Sequence, residues 1–277
     1  MINPTTRPIT VSPIKKQVFF VIWVLCLLGS FAIIPYSLSL SGMDFNIKDL
    51  LSTNVIISLL QNILLYGLLI FAGLYIARRV GLGLPILTGL FNKEDVGEKV
   101  RKLLLPSLLI GVIGSGLVIL LDTYIFGPPL AAELKLLGVT LSESINPPVW
   151  QGLLASLYGG INEEVLLRLF VMTLIGGLIA IVFRKMDQKL PVGIFWVANI
   201  LAAVLFGLGH LPTTAAIGLP MDFLVVSRAI LLNGLIGVGC GWLYWKYGLE
   251  SAMLGHFTAD IVLHVLTPLA ASLLVLQ

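Results

Sequence analysis

Long apolar segments recur along this chain, and they constrain its fold more than any other feature. A helix needs roughly 20 predominantly apolar residues to cross the hydrocarbon core of a bilayer. Charged residues make up only 11% of the chain, against about 25% in soluble domains. We therefore predict an all-α fold, a polytopic membrane helical bundle of seven to eight transmembrane helices around an internal polar cavity. The predicted spans are residues 17–38, 54–77, 103–126, 149–183, 191–210, 222–246 and 249–276.

Two of these runs are expected to bend or divide. The fourth would reach roughly 50 Å as a straight helix of about 35 residues, so it must tilt, kink or break. The pairs Gly159-Gly160 and Gly176-Gly177 are the predicted break points, because glycine weakens a helix interior. The last run holds Pro268, which can divide it into two helices.

Two connections are long enough to carry structure of their own. Residues 91–102 mix charged with apolar positions, which favours either a cytoplasmic surface helix or a solvated loop. Residues 127–148 begin and end with proline pairs and enclose a short amphipathic piece around 130–137. Without an internal repeat, residues 1–277 are predicted to form a single integral membrane domain with its motif-bearing core at about 149–270.

Basic residues lie mostly at one end of the predicted spans. Only Lys48 and Lys135 fall at the other end. Because cytoplasmic loops are enriched in Lys and Arg, we read the net charge of +3 as a topology signal and expect no nucleic-acid partner. We expect a multi-pass protein of the cell (plasma) membrane with a cytoplasmic amino terminus and a retained first span. The basic end comprises Arg7, Lys15, Lys16, Arg78, Arg79, Lys93, Lys99, Arg101, Lys102, Arg184, Lys185, Lys189 and Lys246.

Few polar or ionisable side chains fall inside the spans. They are costly in hydrocarbon and usually face a partner or a water-filled cavity, which makes them functional candidates. Cys26 and Cys240 also lie in apolar runs and are expected to be small buried hydrophobes without a disulfide. The polar candidates are Asn162, Glu163, Glu164, Arg168, His210, Arg228, Asn233, His256, Asp260 and His264.

Spacing assigns different roles to the two adjacent acids. Glu164 and Arg168 are four residues apart with the acid first, the favourable order for an ion pair on one helix face. Glu163 projects about 100° away around the helix, so it is left free for chemistry. The alternative is that these acids only join helices through buried ion pairs.

A second polar stripe lies on the last span. His256 and Asp260 share one helix face, and His264 continues the stripe one turn later. If this face meets Glu163 and His210, the cavity is equipped to add water to a carbonyl group. We predict that Glu163 acts as general base on a water, with His210 orienting or deprotonating it. His256, positioned with Asp260, could supply an oxyanion site; Asp260 would donate if protonated and otherwise accept the ring proton of His256.

Two further polar residues have structural interpretations, and one conflict of depth remains. We expect His264 to pack between helices or line the cavity, and Arg228 to donate at the interface or to a neighbouring helix. Straight spans would place His210 near the outer surface and His256 near the cytoplasmic one, so they could not meet. We nevertheless predict from the grouping of the motifs that His210 and His256 lie in one site.

Three short elements in order resemble a known family. They are Glu-Glu-x-x-x-Arg (Glu163, Glu164, Arg168), Phe-x-x-x-His (Phe206, His210) and His-x-x-x-Asn/Asp (His256, Asp260). The pattern is similar to that of the CPBP (Abi-like) family, the type II CAAX prenyl proteases and bacteriocin-processing intramembrane glutamic proteases. The resemblance implies about eight spans around a conical cavity and a metal-independent, glutamate-activated water. It implies a catalytic Glu163, an assisting His210, and His256 and Asp260 at the oxyanion positions. Asp260 stands where eukaryotic prenyl-protein proteases often have Asn, which loosens the expectation of CAAX specificity.

We accordingly predict an intramembrane glutamic-type endopeptidase, similar to type II CAAX prenyl proteases, that cleaves a membrane-associated or lipidated peptide. Its expected partners are that peptide or protein substrate and the lipid bilayer, and no cofactor or metal is expected. One alternative is a non-enzymatic membrane protein for peptide binding, immunity or transport. Another is a zinc-dependent membrane peptidase using His210, His256 and an acid, although scattered ligands without a His-Glu-x-x-His helix are a weak zinc signal.

Overall fold

The structure is a computed structural model that describes residues 11, 13–138 and 147–275. Its regular elements are helices, and seven candidate spans among them are long and apolar enough to cross a membrane. The predicted all-α polytopic bundle is therefore confirmed, while Arg7 and residues 139–146 lie outside the described residues. The spans are Lys16–Leu40, Thr53–Val80, Gly97–Leu137, Val149–Val182, Val192–Ala216, Phe223–Tyr247 and Leu249–Leu273.

Among the described residues, the spans are built from α-helices, and three of the spans also contain wider π-helical stretches. The α-helices are α1 (Lys16–Ala32), α2 (Ile34–Leu40), α3 (Thr53–Val80), α4 (Pro85–Phe91), α5 (Gly97–Leu121), α6 (Gly127–Leu137), α7 (Val149–Tyr158), α8 (Thr173–Val182), α9 (Val192–Gly209), α10 (Leu211–Ala216), α11 (Phe223–Tyr247), α12 (Leu249–Ile261) and α13 (Thr267–Val275). A 3-10 turn covers Ile47–Leu51, and π-helical stretches cover Asp122–Phe126, Gly159–Glu163, Val165–Met172 and Val262–Leu266.

The fourth span stays helical where breaks were predicted. Gly159 and Gly160 open a π-helical stretch, a widened turn that often occurs at functional sites. Gly176 and Gly177 lie inside the regular helix α8, so the predicted break there is wrong. They serve packing instead, because a Cβ on Gly177 would lie only 2.6 Å from Cγ2 of Ile76 on α3.

The third and last spans also differ from expectation. The third span begins at Gly97, so it includes the second half of the predicted connection 91–102. This connection is therefore neither a separate surface helix nor a continuous loop. The third span continues through the amphipathic piece, which is α6 rather than part of a connection. Pro268 does not divide the last run, since the π-helical stretch Val262–Leu266 leads directly into α13. Proline has no backbone N–H to donate, and the wider turns before it accommodate the lost hydrogen bond without a break in the helix.

Hydrogen bonds to the backbone hold several spans together at one end of the bundle. The amide of Leu190, before α9, donates to the carbonyl of Val80 at 3.1 Å, and the amide of Leu249 donates to Gly83 at 3.0 Å. Glu250 Oε1 accepts the amides of Ile86 and Leu87 at 3.1 and 2.9 Å, which caps the start of α4. The fifth and seventh spans therefore begin beside the end of the second.

Asp122 and Arg228 join the third and sixth spans. The guanidinium places Nε 2.6 Å from Oδ1 and Nη2 2.7 Å from Oδ2 of the carboxylate. Such a two-point contact fixes orientation as well as distance. Arg228 is thus an interhelical donor, one of the two roles predicted for it.

Asn162 joins the fourth span to the first. Its buried side chain donates from Nδ2 to the carbonyl of Cys26 at 2.8 Å and to Oγ of Ser30 at 3.1 Å. Gly29 allows this approach, because a Cβ there would collide with Oδ1 of Asn162. The contact of Asn162 with the first span therefore fixes the helix turn that carries Glu163.

Cys26 and Cys240 are buried and free, as predicted.

We predict that Asn162→Ala lowers the unfolding free energy by about 1 kcal/mol, because interhelical hydrogen bonds in membranes contribute amounts of that order. The apparent melting temperature of the purified protein in detergent measures the effect. Asn54→Ala is the matched control, since Asn54 is exposed at the start of α3. Equal melting temperatures for the two variants would contradict the role given to Asn162.

Candidate active site

Close approach of the fourth and seventh spans brings the candidate residues together. A Cβ on Gly160 would lie 2.9 Å from Cβ of Phe257 and 3.0 Å from the carbonyl oxygen of Met253. Only a glycine permits this spacing between the two backbones. The acids that follow Gly160 can therefore reach side chains on α12.

Glu164 forms a buried contact with the guanidinium of Arg168 and the imidazole of His256. Its Oε1 lies 3.0 Å from Nη1 of Arg168 and 2.7 Å from Nδ1 of His256. The side chains of Glu164 and Arg168 are 0% and 2% exposed, and Nη2 of Arg168 donates to the carbonyl of Gly237 at 2.9 Å. The Arg168 Nη1 contact is an ion pair without hydrogen-bond alignment. The predicted Glu164–Arg168 pair is present, whereas the bond to His256 was not predicted.

Glu163 faces the other nitrogen of the same imidazole. Its Oε2 lies 3.7 Å from Nε2 of His256, and Oδ1 of Asp260 lies 3.6 Å from that nitrogen. The Glu163 and Asp260 side chains are 23% and 13% exposed. Both separations exceed a direct hydrogen bond. His256 thus has one nitrogen held by a sealed acid and the other facing two accessible acids.

The contact with Glu164 determines how His256 is oriented. A carboxylate oxygen only accepts, so Nδ1 of His256 carries the proton that it donates. The sequence predicts that Asp260 orients the ring if its carboxylate accepts the ring proton. At 3.6 Å it does not form that bond, and Glu164 holds the ring instead. Asp260 does share the helix face of His256, as the i, i+4 spacing predicted.

Phe206 lies between the two histidines. Its ring centroid is 4.8 Å from that of His210 and 5.4 Å from that of His256, both in edge-to-face arrangement. The guanidinium carbon of Arg168 lies 5.1 Å from the same ring. Because one ring contacts both imidazoles, the predicted conflict of depth between His210 and His256 does not arise.

His210 contacts Phe206 and is not bonded to the acids of the site among the described residues. Its Nδ1 donates to the carbonyl of Phe206 at 2.9 Å, which leaves Nε2 without that proton in the neutral ring. Across the described part of the chain, no hydrogen bond or ion pair joins His210 to Glu163. The structure therefore places His210 next to the cluster, with Phe206 between it and His256.

His264 continues the polar stripe and packs against the first span. Its Nδ1 lies 3.2 Å from the hydroxyl of Tyr36, and the two ring centroids are 5.7 Å apart. This is the helix-packing role that the sequence predicted. Tyr36 was missed, because a tyrosine near the end of an apolar run gives no signal of a partner.

One group of side chains has the types and spacing of metal ligands. Ligand atoms of Glu164, Cys240 and His256 lie within 4.8 Å of one another, all of them buried. His210 is not part of this group, so the zinc set considered from the sequence is not assembled. A cation there would face the charge of Arg168, 3.0 Å from the same Glu164 oxygen, and would displace the Nδ1 proton of His256. These residues fit a metal ion poorly.

Comparison with known proteins bears on the segment that holds this cluster. Residues 145–262 match a family model described as type II CAAX prenyl endopeptidase Rce1-like. The chain matches no curated protein and no solved structure. The matched segment contains all three motifs and every residue predicted for the site. The resemblance inferred from those motifs is confirmed: residues 145–262 of this membrane protein are similar to the Rce1-like type II CAAX prenyl endopeptidases.

Proposed function

We propose that this protein is an intramembrane endopeptidase in which Glu163 activates a water molecule for attack on a peptide bond. The observation that carries the proposal is the unequal environment of two adjacent acids. Glu164 is sealed against Arg168 and Nδ1 of His256, whereas Glu163 is partly exposed opposite Nε2 of the same ring. An accessible carboxylate beside a fixed imidazole is suited to proton transfer.

Glu163 would act as the general base. Polar atoms separated by 3.6 to 3.7 Å, as Nε2 of His256 is from Asp260 and Glu163, are at a distance that a water molecule can bridge. Glu163 takes a proton from this water while the oxygen of the water attacks the carbonyl carbon of the peptide bond. The same proton then passes to the leaving nitrogen as the C–N bond breaks. A positioned base of this kind contributes roughly 10²–10⁴-fold to rate.

His256 would stabilise the oxyanion. Glu164 holds Nδ1 at 2.7 Å, so as an imidazolium the ring can direct its Nε2 proton to the developing negative charge without reorienting. Arg168 offsets the charge of Glu164. Asp260 is the second oxyanion position, and as a protonated acid it would donate alongside His256.

His210 would assist from the fifth span. Its Nδ1 proton is engaged by the carbonyl of Phe206, which leaves Nε2 as the nitrogen able to accept a proton. Its half-buried side chain lies beside the ring of Phe206. We assign it the task of orienting or deprotonating the water when a peptide is bound.

The substrate we propose is a membrane-associated peptide or protein, lipidated or not, and no nucleic acid. The match to type II CAAX prenyl endopeptidases supports this class. Asp260 replaces the Asn often found in prenyl-protein proteases, so we do not restrict the substrate to CAAX sequences. We place the protein in the cell membrane with its amino terminus in the cytoplasm, following the distribution of Lys and Arg.

We expect Glu163→Gln to lower kcat for cleavage of membrane-anchored peptides by roughly 10²–10⁴-fold, because the amide cannot accept the proton of water. Glu98→Gln is the matched control, since that acid is 78% exposed beside Lys102. Both proteins are purified and assayed against a peptide library, with melting temperatures recorded. Full activity in Glu163→Gln would remove this residue from the mechanism.

The same assay separates the alternatives. Cleavage that survives chelator supports the glutamate mechanism, whereas chelator-sensitive cleavage restored by zinc would support a zinc peptidase. Peptide binding without cleavage, unchanged in Glu163→Gln, would instead favour a binding or transport protein.

Asp260→Asn is predicted to retain activity within a few-fold, because an amide donates to an oxyanion without requiring a bound proton. Asp260→Ala should lose roughly 10²–10³-fold in kcat, the usual cost of one oxyanion donor. Steady-state kinetics of the two variants measure the difference. Equal losses in both would show that the carboxylate itself is required, and would exclude the oxyanion role.

Gly159 keeps space beside Asp260 and His256, the two site residues on the seventh span. A Cβ on Gly159 would collide with Oδ2 of Asp260 and lie 3.4 Å from Nε2 of His256. A side chain here would therefore displace the Asp260 carboxylate or the water that we place next to it.

Gly159→Ala should lower kcat at least about ten-fold without lowering the melting temperature, because alanine favours the helix by up to about 1 kcal/mol. The matched control is Gly116→Ala on α5, where a Cβ meets nothing within 4 Å. Kinetics and thermal scans are run on both. Unchanged kcat in Gly159→Ala would contradict the placement of the reaction beside this glycine.

A further inference from the structure

A cavity of about 530 Å³ opens at the end of the bundle where the second span ends. Segments that precede α1, end α3 and α11, and begin α4 and α5 form its walls. No acidic residue lines it among those the structure describes. Six of its lining side chains are cationic, and we call the cavity the cationic pocket: Lys15, Arg78, Lys99, Lys102, Lys189 and Lys246.

Two of the six cations are paired with acids outside the pocket. Lys99 lies 2.9 Å from Glu94, and Lys102 lies 2.7 Å from Glu98. The hydrogen bond from Lys99 lowers the pKa of Glu94 below its usual value. These pairs are exposed, so water and salt screen them and they contribute little to stability.

The other three lysines of the pocket, Lys15, Lys189 and Lys246, form no ion pair with a described acid that would neutralise them. Lys15 Nζ donates to the carbonyl of Phe91 at 3.2 Å, and Lys246 Nζ lies 3.7 Å from the ring centroid of Trp245. Neither partner is a carboxylate. Within the described ranges, no ion pair involves Lys15, Lys189 or Lys246. The pocket therefore has an excess of positive charge.

The pocket also has an apolar wall. Val18, Leu74, Ala77 and Leu84 line it and are each no more than 8% exposed. A small polar anion would leave this wall without a partner. A ligand with an anionic head and an apolar body would satisfy both parts of the lining.

We propose that the cationic pocket binds the phosphate headgroup of an anionic phospholipid from the adjacent leaflet. Basic pockets between transmembrane helices on the cytoplasmic side are suited to anionic lipid heads, and the distribution of Lys and Arg predicts that this end is cytoplasmic. The alternative occupant is the terminal carboxylate of a peptide. The number of cations and the apolar wall favour the phospholipid.

The pocket is separate from the candidate active site but shares a helix with it. Tyr244, which lines the pocket, lies one turn beyond Cys240, and its hydroxyl lies 3.0 Å from Oγ1 of Thr173. Cys240 in turn is near Glu164. The lipid proposal concerns binding alone, so it stands or falls independently of the peptidase proposal.

Native mass spectrometry of the purified full-length protein tests the proposal. The probes are a short-chain phosphatidylglycerol, a phosphatidylcholine of the same chain length, and glycerol 1-phosphate. The variant is the double substitution Lys189→Gln with Lys246→Gln. Its matched control is Arg101→Gln, which removes an exposed cation at the same end of the bundle but outside the pocket.

We expect phosphatidylglycerol to bind more tightly than phosphatidylcholine or glycerol 1-phosphate. The double variant should weaken that binding about thirty-fold, given the contribution of each cation to anionic lipid binding. Arg101→Gln should have a dissociation constant within two-fold of the parent protein. Size-exclusion profiles and melting temperatures verify that each variant is folded, and Lys15→Gln replaces the double variant if it is not.

Three results would overturn the proposal. Equal affinity for the neutral lipid would show that headgroup charge is not recognised. Binding of glycerol 1-phosphate as tight as that of the lipid would identify a site for a soluble phosphate. Displacement of the lipid by a peptide carboxylate but not by its amide would assign the pocket to the peptide substrate.

Discussion

A single buried carboxylate oxygen determines the arrangement of the candidate site. Oε1 of Glu164 contacts Nη1 of Arg168 and Nδ1 of His256 at 3.0 and 2.7 Å. In a medium that excludes water, these three groups are stable only together, because removing one partner leaves an uncompensated buried charge. The contact joins the fourth and seventh spans and fixes the imidazole plane. It also determines which of the two adjacent acids remains accessible.

The local helix geometry makes this division possible. Glu163 ends one π-helical stretch, and Glu164 separates it from the next, Val165–Met172. The wider turns alter the directions in which successive side chains leave the helix. Gly159 and Gly160 bring the same turns close to α12, and Asn162 anchors them to α1. Backbone shape, small residues and one amide thus hold two neighbouring acids in different environments.

Contacts within one helix could be predicted from the sequence, and contacts between helices could not. Apolar run lengths gave the spans to within six residues, apart from the third, which ends at Leu137 and not near residue 126. Spacing of i, i+4 gave the pair of Glu164 with Arg168 and the shared face of His256 and Asp260. The bond from His256 to Glu164 depends on how two spans pack. So do the position of Phe206 between the histidines and the contact of Tyr36 with His264. The π-helical stretches were missed because sequence periodicity does not distinguish a widened turn from a break.

The central claim is that Glu163 activates water and does not itself attack the peptide. A single turnover in water enriched in oxygen-18, followed by mass spectrometry of the product and of the enzyme peptide that contains Glu163, tests this directly. We predict label in the new carboxyl terminus of the product, none in Glu163, and no product hydroxamate when hydroxylamine is present during the turnover. Label in the Glu163 carboxylate, or a product hydroxamate, would show an acyl intermediate on that residue and would contradict this mechanism.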